Sequence, residues 1–460
     1  MKKITLFIVI FLCKISVAQI TPNSLFQNNM VLQRNAPIAV FGKAETEKSV
    51  TVTFKNKTYS TKVKNGNWKV FLDESEAGGP FELKIYGKNE ITFSNVLVGE
   101  VWLCSGQSNM EMPVKGNKGQ PVIGSNLAIL NSDNPKIRFF TVGKKAALEP
   151  LDNCEGIWEI ASPESVKNFS AVAYFYGEML QKNLNVPIGL IHSSWGGTPA
   201  EAWTPTETIK TKLKEFSHWK TDVSVPQKLP SQLYNGMIHP LKPYTIKGAI
   251  WYQGEANKTY HQSYAKLFSA MITSWRTRWN QGDFPFYFVQ IAPLGWGGDN
   301  QAFLREKQLK TMLTVPNTGM AVTLDIGEKE NIHPAEKQKV GCRLALWALA
   351  KTYKLKGIEF SGPIYKSMQV SGNKVYVKFS YAPNGVANFG KEMLGFKLAG
   401  KDKIFYDAEA KIVKGQLEVS SKQVQTPIAV RYGWADWVDG SLFNTAGLPA
   451  SSFRTDNWNN

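Results

Sequence analysis

Val96-Leu97-Val98-Gly99-Glu100-Val101-Trp102-Leu103-Cys104 is a mostly apolar run that stops at Ser105-Gly106-Gln107-Ser108-Asn109-Met110. Its apolar part fits a strand covered on both faces, as in a parallel sheet. The small polar residues and Gly106 that end it predict a turn. A serine just past the carboxyl end of such a strand lies where α/β proteins assemble their sites, so the Ser108 hydroxyl is expected in a cleft. A turn that merely ends a strand uses the same residue types, and the choice depends on what the rest of the chain supplies.

Working outward, strands alternate with helical patterns from about Glu100 to Leu355, which argues for a mostly parallel sheet with helices on both faces. Helices are expected over Ala171 to Leu184, over Tyr264 to Trp279, where Leu267, Met271 and Trp275 share a face, and after Pro334. Strands are expected at Val186 to Ile191, Ile246 to Ile250, Phe286 to Ile291 and Gly319 to Leu324. On the amino-terminal side, short strands such as Ile38 to Gly42, Val50 to Phe54, Trp68 to Leu72 and Phe81 to Tyr86 are separated by Asn65-Gly66 and Gly78-Gly79-Pro80, a β-sandwich pattern. Beyond Gly357 the β pattern returns, with Val375 to Phe379, Phe396 to Ala399 and Ile428 to Tyr432. The expected division is a signal segment 1–18, an amino-terminal β-sandwich 19–95, an α/β domain 96–356 and a carboxyl-terminal β-rich domain 357–460.

The chain has 460 residues, 43% hydrophobic and 20% charged, a globular rather than disordered composition and more than one ordinary core. Met1-Lys2-Lys3, the apolar run from Ile4 to Leu12 and Ser16-Val17-Ala18 read as a secretory signal cleaved before Gln19. Lys14 argues against a lasting membrane span, and Cys13 after Leu12 does not fit a lipoprotein site. Export to the periplasm or beyond is therefore expected. Removing the signal takes Lys2, Lys3 and Lys14 and no acid from a formal net charge of +17, so the mature chain stays basic. Lysines such as Lys351, Lys354 and Lys356, or Lys401 and Lys403, are scattered; a solvated basic surface is expected, without nucleic acid as a partner. Cys104, Cys154 and Cys342 remain after cleavage, with no metal-site spacing. A Cys104–Cys154 bridge and buried free thiols are both open.

A serine hydroxyl becomes an effective nucleophile when a base takes its proton, and histidine is the usual base near neutral pH. The five histidines are His192, His218, His239, His261 and His333. His333, in Glu330-Asn331-Ile332-His333-Pro334, follows a strand ending near Asp325 and precedes a helix start marked by Pro334. His239, in Ile238-His239-Pro240, is the alternative; its proline-rich loop suits a cleft wall. Two stretches follow predicted strands: Ser193-Ser194-Trp195-Gly196-Gly197-Thr198-Pro199-Ala200-Glu201-Ala202-Trp203 and Trp251-Tyr252-Gln253-Gly254-Glu255-Ala256-Asn257. Glycines there let a backbone N–H approach a substrate closely and stabilise an oxyanion. Glu201 and Glu255 admit a glycosidase pair, which leaves Ser108 and the glycines without a role; fixing loops by accepting hydrogen bonds suits them better. Trp195, Trp203, Trp251 and Tyr252 suit either sugar stacking or the core.

Gly106-Gln107-Ser108-Asn109 resembles the nucleophile block of the SGNH hydrolases. Together with Gly99-Glu100-Val101-Trp102, the opening Leu25 to Arg34, the two glycine-containing stretches and Ile332-His333-Pro334, it resembles the sialate O-acetylesterase branch of that superfamily over nearly the whole mature chain. The resemblance implies an SGNH-type three-layer hydrolase domain with β-rich companions on both sides. It implies a serine esterase that needs no cofactor or metal and removes O-acetyl groups from a carbohydrate, sialic acid or plant polysaccharide. Ser108 is then the nucleophile and His333 the base, while the Ser108 N–H, a Gly196 or Gly197 N–H and the Gln253 amide form the oxyanion hole. Asn109, Glu201, Trp203 and Glu255 are expected to contact substrate. The family's acid before the histidine is replaced, with Glu330 and Asn331 at the two positions it takes; Glu330 is expected as the third triad member, and a Ser-His dyad supported by a backbone carbonyl is the competing arrangement. A carbohydrate-binding protein with a decayed esterase site is the rival function. Oligomeric state and the acetylated sugar are not legible in the sequence.

Overall fold

The computed structural model describes residues 20–214, 224–296 and 301–458. The expected signal segment 1–18 and His218 lie outside the described residues.

The apolar run belongs to one long strand, Glu90–Gly106, which crosses the position where the sequence reading divides the amino-terminal part from the α/β part. Its first half pairs antiparallel with Gly78–Tyr86. Its second half lies between Ile188–Ser194 and Gly248–Tyr252, parallel to both. One hydrogen-bonded sheet is therefore shared by the two regions. Its main path runs Trp158–Ala161, Asn134–Thr141, Ile188–Ser194, Glu90–Gly106, Gly248–Tyr252, Phe286–Val289, Thr318–Ala321. All neighbours on this path are parallel except the edge strand Trp158–Ala161.

Alternation along the strands sends large aromatic residues to both faces. Trp102 packs edge-on against Tyr176 of the helix Ala171–Leu184. Trp251 lies opposite Ser105, three residues on from Trp102 and so on the other face, where it meets Phe268 and Trp275 of the helix His261–Trp279. Lys337–Trp347 packs beside the first helix and Gln301–Thr314 beside the second. Burying aromatic rings this size, at about 25 cal/mol per Å² of apolar surface, is the main force closing the layers.

The carboxyl-terminal strands form antiparallel sheets, Ile364–Ser371, Lys374–Ser380, Gln416–Ser420 and Glu409–Val413 in one, Phe405–Asp407, Phe396–Ala399, Ala429–Tyr432 and Phe453–Arg454 in another. They are tied to the α/β layers by polar groups. Buried Arg305 donates to Ser452 Oγ and to the Gly433 and Ala435 carbonyls, and Gln290 donates to Ser451 Oγ. Cys104, Cys154 and Cys342 are free thiols, so the Cys104–Cys154 bridge is not formed. Among the described residues no helix is long and apolar enough to cross a membrane.

Candidate active site

The turn after the central strand is clamped from both sides. Trp195 N–H donates to the Gly106 carbonyl and Gln107 N–H to the Tyr252 carbonyl, so the two neighbouring strands fix where the chain leaves the sheet. Gly106 is required there: its φ is +144° and a Cβ would come within 2.1 Å of the Tyr252 carbonyl oxygen. Ser108 then opens the four-residue helix Ser108–Glu111, half-buried at the sheet's carboxyl edge.

His333 arrives from the loop between Thr318–Ala321 and Lys337–Trp347, and its Nε2 is 2.8 Å from Ser108 Oγ. That distance lets a neutral ring accept the hydroxyl proton. Burial and the charge of nearby Lys337 lower the His333 pKa, and the Glu111 carboxylate partly raises it. The ring is therefore neutral, and a competent base, to lower pH than an ordinary histidine.

The third triad member is corrected. Glu330 is exposed and makes no hydrogen bond or ion pair among the described residues, while His333 Nδ1 is buried without a partner. The loop turns a different carboxylate inward. Glu328 accepts from Ala335 N–H and Asn331 Nδ2, and Asn331 bonds both the N–H and the carbonyl of His333. Asn331 thus holds the histidine through its backbone rather than its ring.

Four expected substrate contacts are also corrected, because each side chain makes hydrogen bonds inside the protein. Asn109 donates to Glu255 Oε1 and the Ile332 carbonyl and accepts from Lys337 Nζ, which ties the Ser108 turn to the histidine loop. Glu255 keeps its second carboxylate oxygen buried, and that burial raises its pKa. Glu201 is buried, accepts from Asn257, and has its pKa raised by burial to about 7. Trp203 is wholly buried, with its indole N–H on Thr198. Lys337 forms no ion pair among the described residues, and its burial lowers its pKa to about 7.

The oxyanion donors divide. Gln253 is corrected: both amide protons go to Thr198 O and Asn257 Oδ1, so neither is left for a substrate. The Ser108 and Gly197 N–H groups make no hydrogen bond among the described residues, and Gly197, at φ +71°, has open space beside it. The Gly196 N–H is occupied by a carboxylate of the protein itself, donating to Glu111 Oε2 at 2.6 Å. Lys144 pairs with the other oxygen of that carboxylate and lies over the Trp195 ring.

Ser108 and His333 line a polar hollow of about 630 Å³ with Glu111, Lys115, Asn117, Lys144 and a second histidine–serine pair. His192 Nε2 is 2.6 Å from Ser194 Oγ, the ring also bonds the backbone of Met110, and burial lowers its pKa to about 4. Sequence reasoning missed Glu111, Lys144, Lys337 and this pair. Glu111 was within reach, since it stands three residues after Ser108 and one helical turn brings such residues to one face. His239, the alternative base, bonds the Leu151 carbonyl away from Ser108. Among the described residues no group of three His, Cys, Asp or Glu side chains could hold a metal ion.

Residues 98–349 match the family model of carbohydrate esterases described as sialic acid-specific acetylesterase. The chain is 32% identical to the sialate O-acetylesterase of Homo sapiens over 90% of its own length and 87% of that protein's. With the sialate O-acetylesterase of Rattus norvegicus it shares 32% identity over 94% and 93%. The crystal structure of a novel carbohydrate acetylesterase from Xanthomonas citri superposes with a TM-score of 0.88 at 37% identity, over 96% of this chain and all of that one.

Proposed function

Because the chain belongs to the sialic acid-specific acetylesterase family of carbohydrate esterases, we propose that it removes O-acetyl groups from a carbohydrate through an acetyl-enzyme on Ser108. The observation that carries this reading is the 2.8 Å approach of Ser108 Oγ to a neutral His333 at the mouth of a polar hollow. Ser108 Oγ attacks the acetyl carbonyl as His333 Nε2 takes its proton. The tetrahedral oxyanion is held by the Ser108 and Gly197 N–H groups and by Gly196 N–H once Glu111 leaves it. His333 returns the proton to the departing sugar hydroxyl, then draws one from the water that attacks the acetyl group, and acetate leaves as Ser108 is reprotonated. Among the described residues no side chain holds Nδ1, so the pair acts as a dyad. The Glu111 carboxylate supplies through space the negative charge that favours the imidazolium.

The same reading includes an SGNH-type arrangement, the division 19–95, 96–356 and 357–460, and export directed by residues 1–18. The sugar is sialic acid or an acetylated plant polysaccharide. Acetate release from p-nitrophenyl acetate, then from acetylated sialosides, xylans and pectins, tests it. Turnover no greater than that of Ser108→Ala overturns the esterase and leaves a carbohydrate-binding protein.

A further inference from the structure

Two more hollows lie in series beyond the Ser108 cleft, the nearer one adjoining it and the farther one adjoining the nearer. The first, about 370 Å³, shares Gly143 and Lys144 with the cleft and continues past Lys145 to Asn153. Asn153 also lines a third, of about 530 Å³, bordered by Lys43, Lys62, Lys64, Lys69 and Lys242. The shared rib is fixed in place. Asn153 Oδ1 accepts from the N–H and the hydroxyl of Ser24, and buried Asn23 donates to the Asp152 and Pro240 carbonyls. The third hollow is therefore formed before anything binds.

Its charge is one-sided. Asp152 is its only carboxylate among the described residues and already pairs with Lys43 at 2.8 Å. Lys62, Lys64 and Lys69 are exposed and form no ion pair among the described residues. Lys62 ends the strand Lys57–Lys62, Lys64 lies in the turn that follows and Lys69 is on the strand Asn67–Leu72, so one strand–turn–strand stretch presents all three to a concave wall that concentrates their field. Uncompensated ammonium groups in a preformed groove select an anionic ligand; the continuity with the cleft selects a long one.

We propose that this track binds an acidic polysaccharide, with uronate carboxylates on Lys62, Lys64 and Lys69 while an acetyl group of the same chain lies at Ser108. The placement at Ser108 rests on the esterase reading; the binding does not. The test uses the full chain carrying Ser108→Ala, so that no turnover enters, with polygalacturonate as the probe and neutral arabinoxylan as the control, followed by affinity electrophoresis. Polygalacturonate is expected to bind more tightly than arabinoxylan, and added salt to weaken it. Lys62→Glu, Lys64→Glu and Lys69→Glu together are expected to weaken it about tenfold, the scale of a few exposed charge contacts. In the active enzyme the triple variant is expected to raise KM for acetylated pectin by a similar factor, with kcat/KM on p-nitrophenyl acetate unchanged. Equal binding of the two polymers, no salt effect, or a triple variant that binds like the parent overturns the track. A chain that binds polygalacturonate but hydrolyses no ester keeps the track and overturns only the esterase reading.

Discussion

The cleft contains two histidine–serine pairs of nearly the same length, and they differ in almost everything else. Ser108 and His333 are each partly open to solvent, and His333 keeps one ring nitrogen free of protein partners. Ser194 and His192 are buried, and the His192 ring is bonded to Met110 as well as to Ser194. The shorter contact belongs to the buried pair. A hydrogen bond between hydroxyl and imidazole therefore does not identify a nucleophile. What separates the pairs is exposure, which decides whether a carbonyl carbon can reach the oxygen, and on the proposed reading the free Ser108 and Gly197 amides that would hold an oxyanion. The His192 pair is a closed polar contact between two strand-end residues, which satisfies groups that would otherwise be buried unpaired.

Removing one oxygen from each pair gives the largest expected contrast. Ser108→Ala is expected to lower kcat/KM on p-nitrophenyl acetate by about 10⁴-fold or more, and Ser194→Ala by less than about threefold; comparable losses would merge the two pairs into one machine. His333→Gln comes next, with an expected loss of about 10³-fold in kcat.

His192→Gln is expected to act on stability instead. The His192 pKa is lowered from its ordinary 6.5 to about 4 by burial, so between those values the folded protein holds fewer protons than the unfolded chain. Stability therefore falls as pH drops from 6.5 to 4, by about 3 kcal/mol at most. A Tm profile across that range should be flatter in the variant, and an equally steep one would place the acid sensitivity elsewhere.

Glu111→Ala frees the Gly196 N–H and is expected to raise kcat on a small ester by about threefold to tenfold, a fraction of what one oxyanion donor contributes. A fall in kcat would mean that the carboxylate charge matters more than the donor it covers. The same variant removes a charge that raises the His333 pKa, so the acid limb of the pH–rate profile should move down; Lys337→Met removes a charge that lowers it and should move the limb up. The two shifts are expected in opposite directions, and shifts of the same sign would show that neither charge acts on His333 directly. The smallest effect belongs to Glu330→Gln, with kcat within about twofold of the parent, because that exposed carboxylate makes no hydrogen bond or ion pair among the described residues.

Much of the fold was legible because periodicity is a local property. The expected helix Ala171 to Leu184 and the strand Phe396 to Ala399 coincide with the observed elements, and the alternating strands of both β-rich regions lie within a few residues of their expected ends. Ser108 and His333 stood out because each ends an apolar or glycine-marked stretch and the ordered blocks resemble a known family. The misassigned residues share one feature. Asn109, Glu201, Gln253 and Glu255 sit beside the right turns, yet their hydrogen bonds go to partners distant in the chain, such as Ile332 for Asn109 and Thr198 for Gln253.

The lysines follow the same pattern in part: Lys43 and Lys242, far apart in the sequence, meet in one groove with Lys62, Lys64 and Lys69 of a single stretch. The sequence by itself determined the layered α/β plan, the strand that delivers Ser108 and the histidine loop that follows the last strand of the main sheet. Only the tertiary structure decided that Glu111 covers the Gly196 amide, that among the described residues the His333 ring has no carboxylate bonded behind it, and which polar groups near the turn face solvent rather than one another. The physical reason is that helix and strand patterns arise from neighbours a few residues apart, whereas desolvation, charge and hydrogen-bond partnership depend on whatever the fold brings into contact.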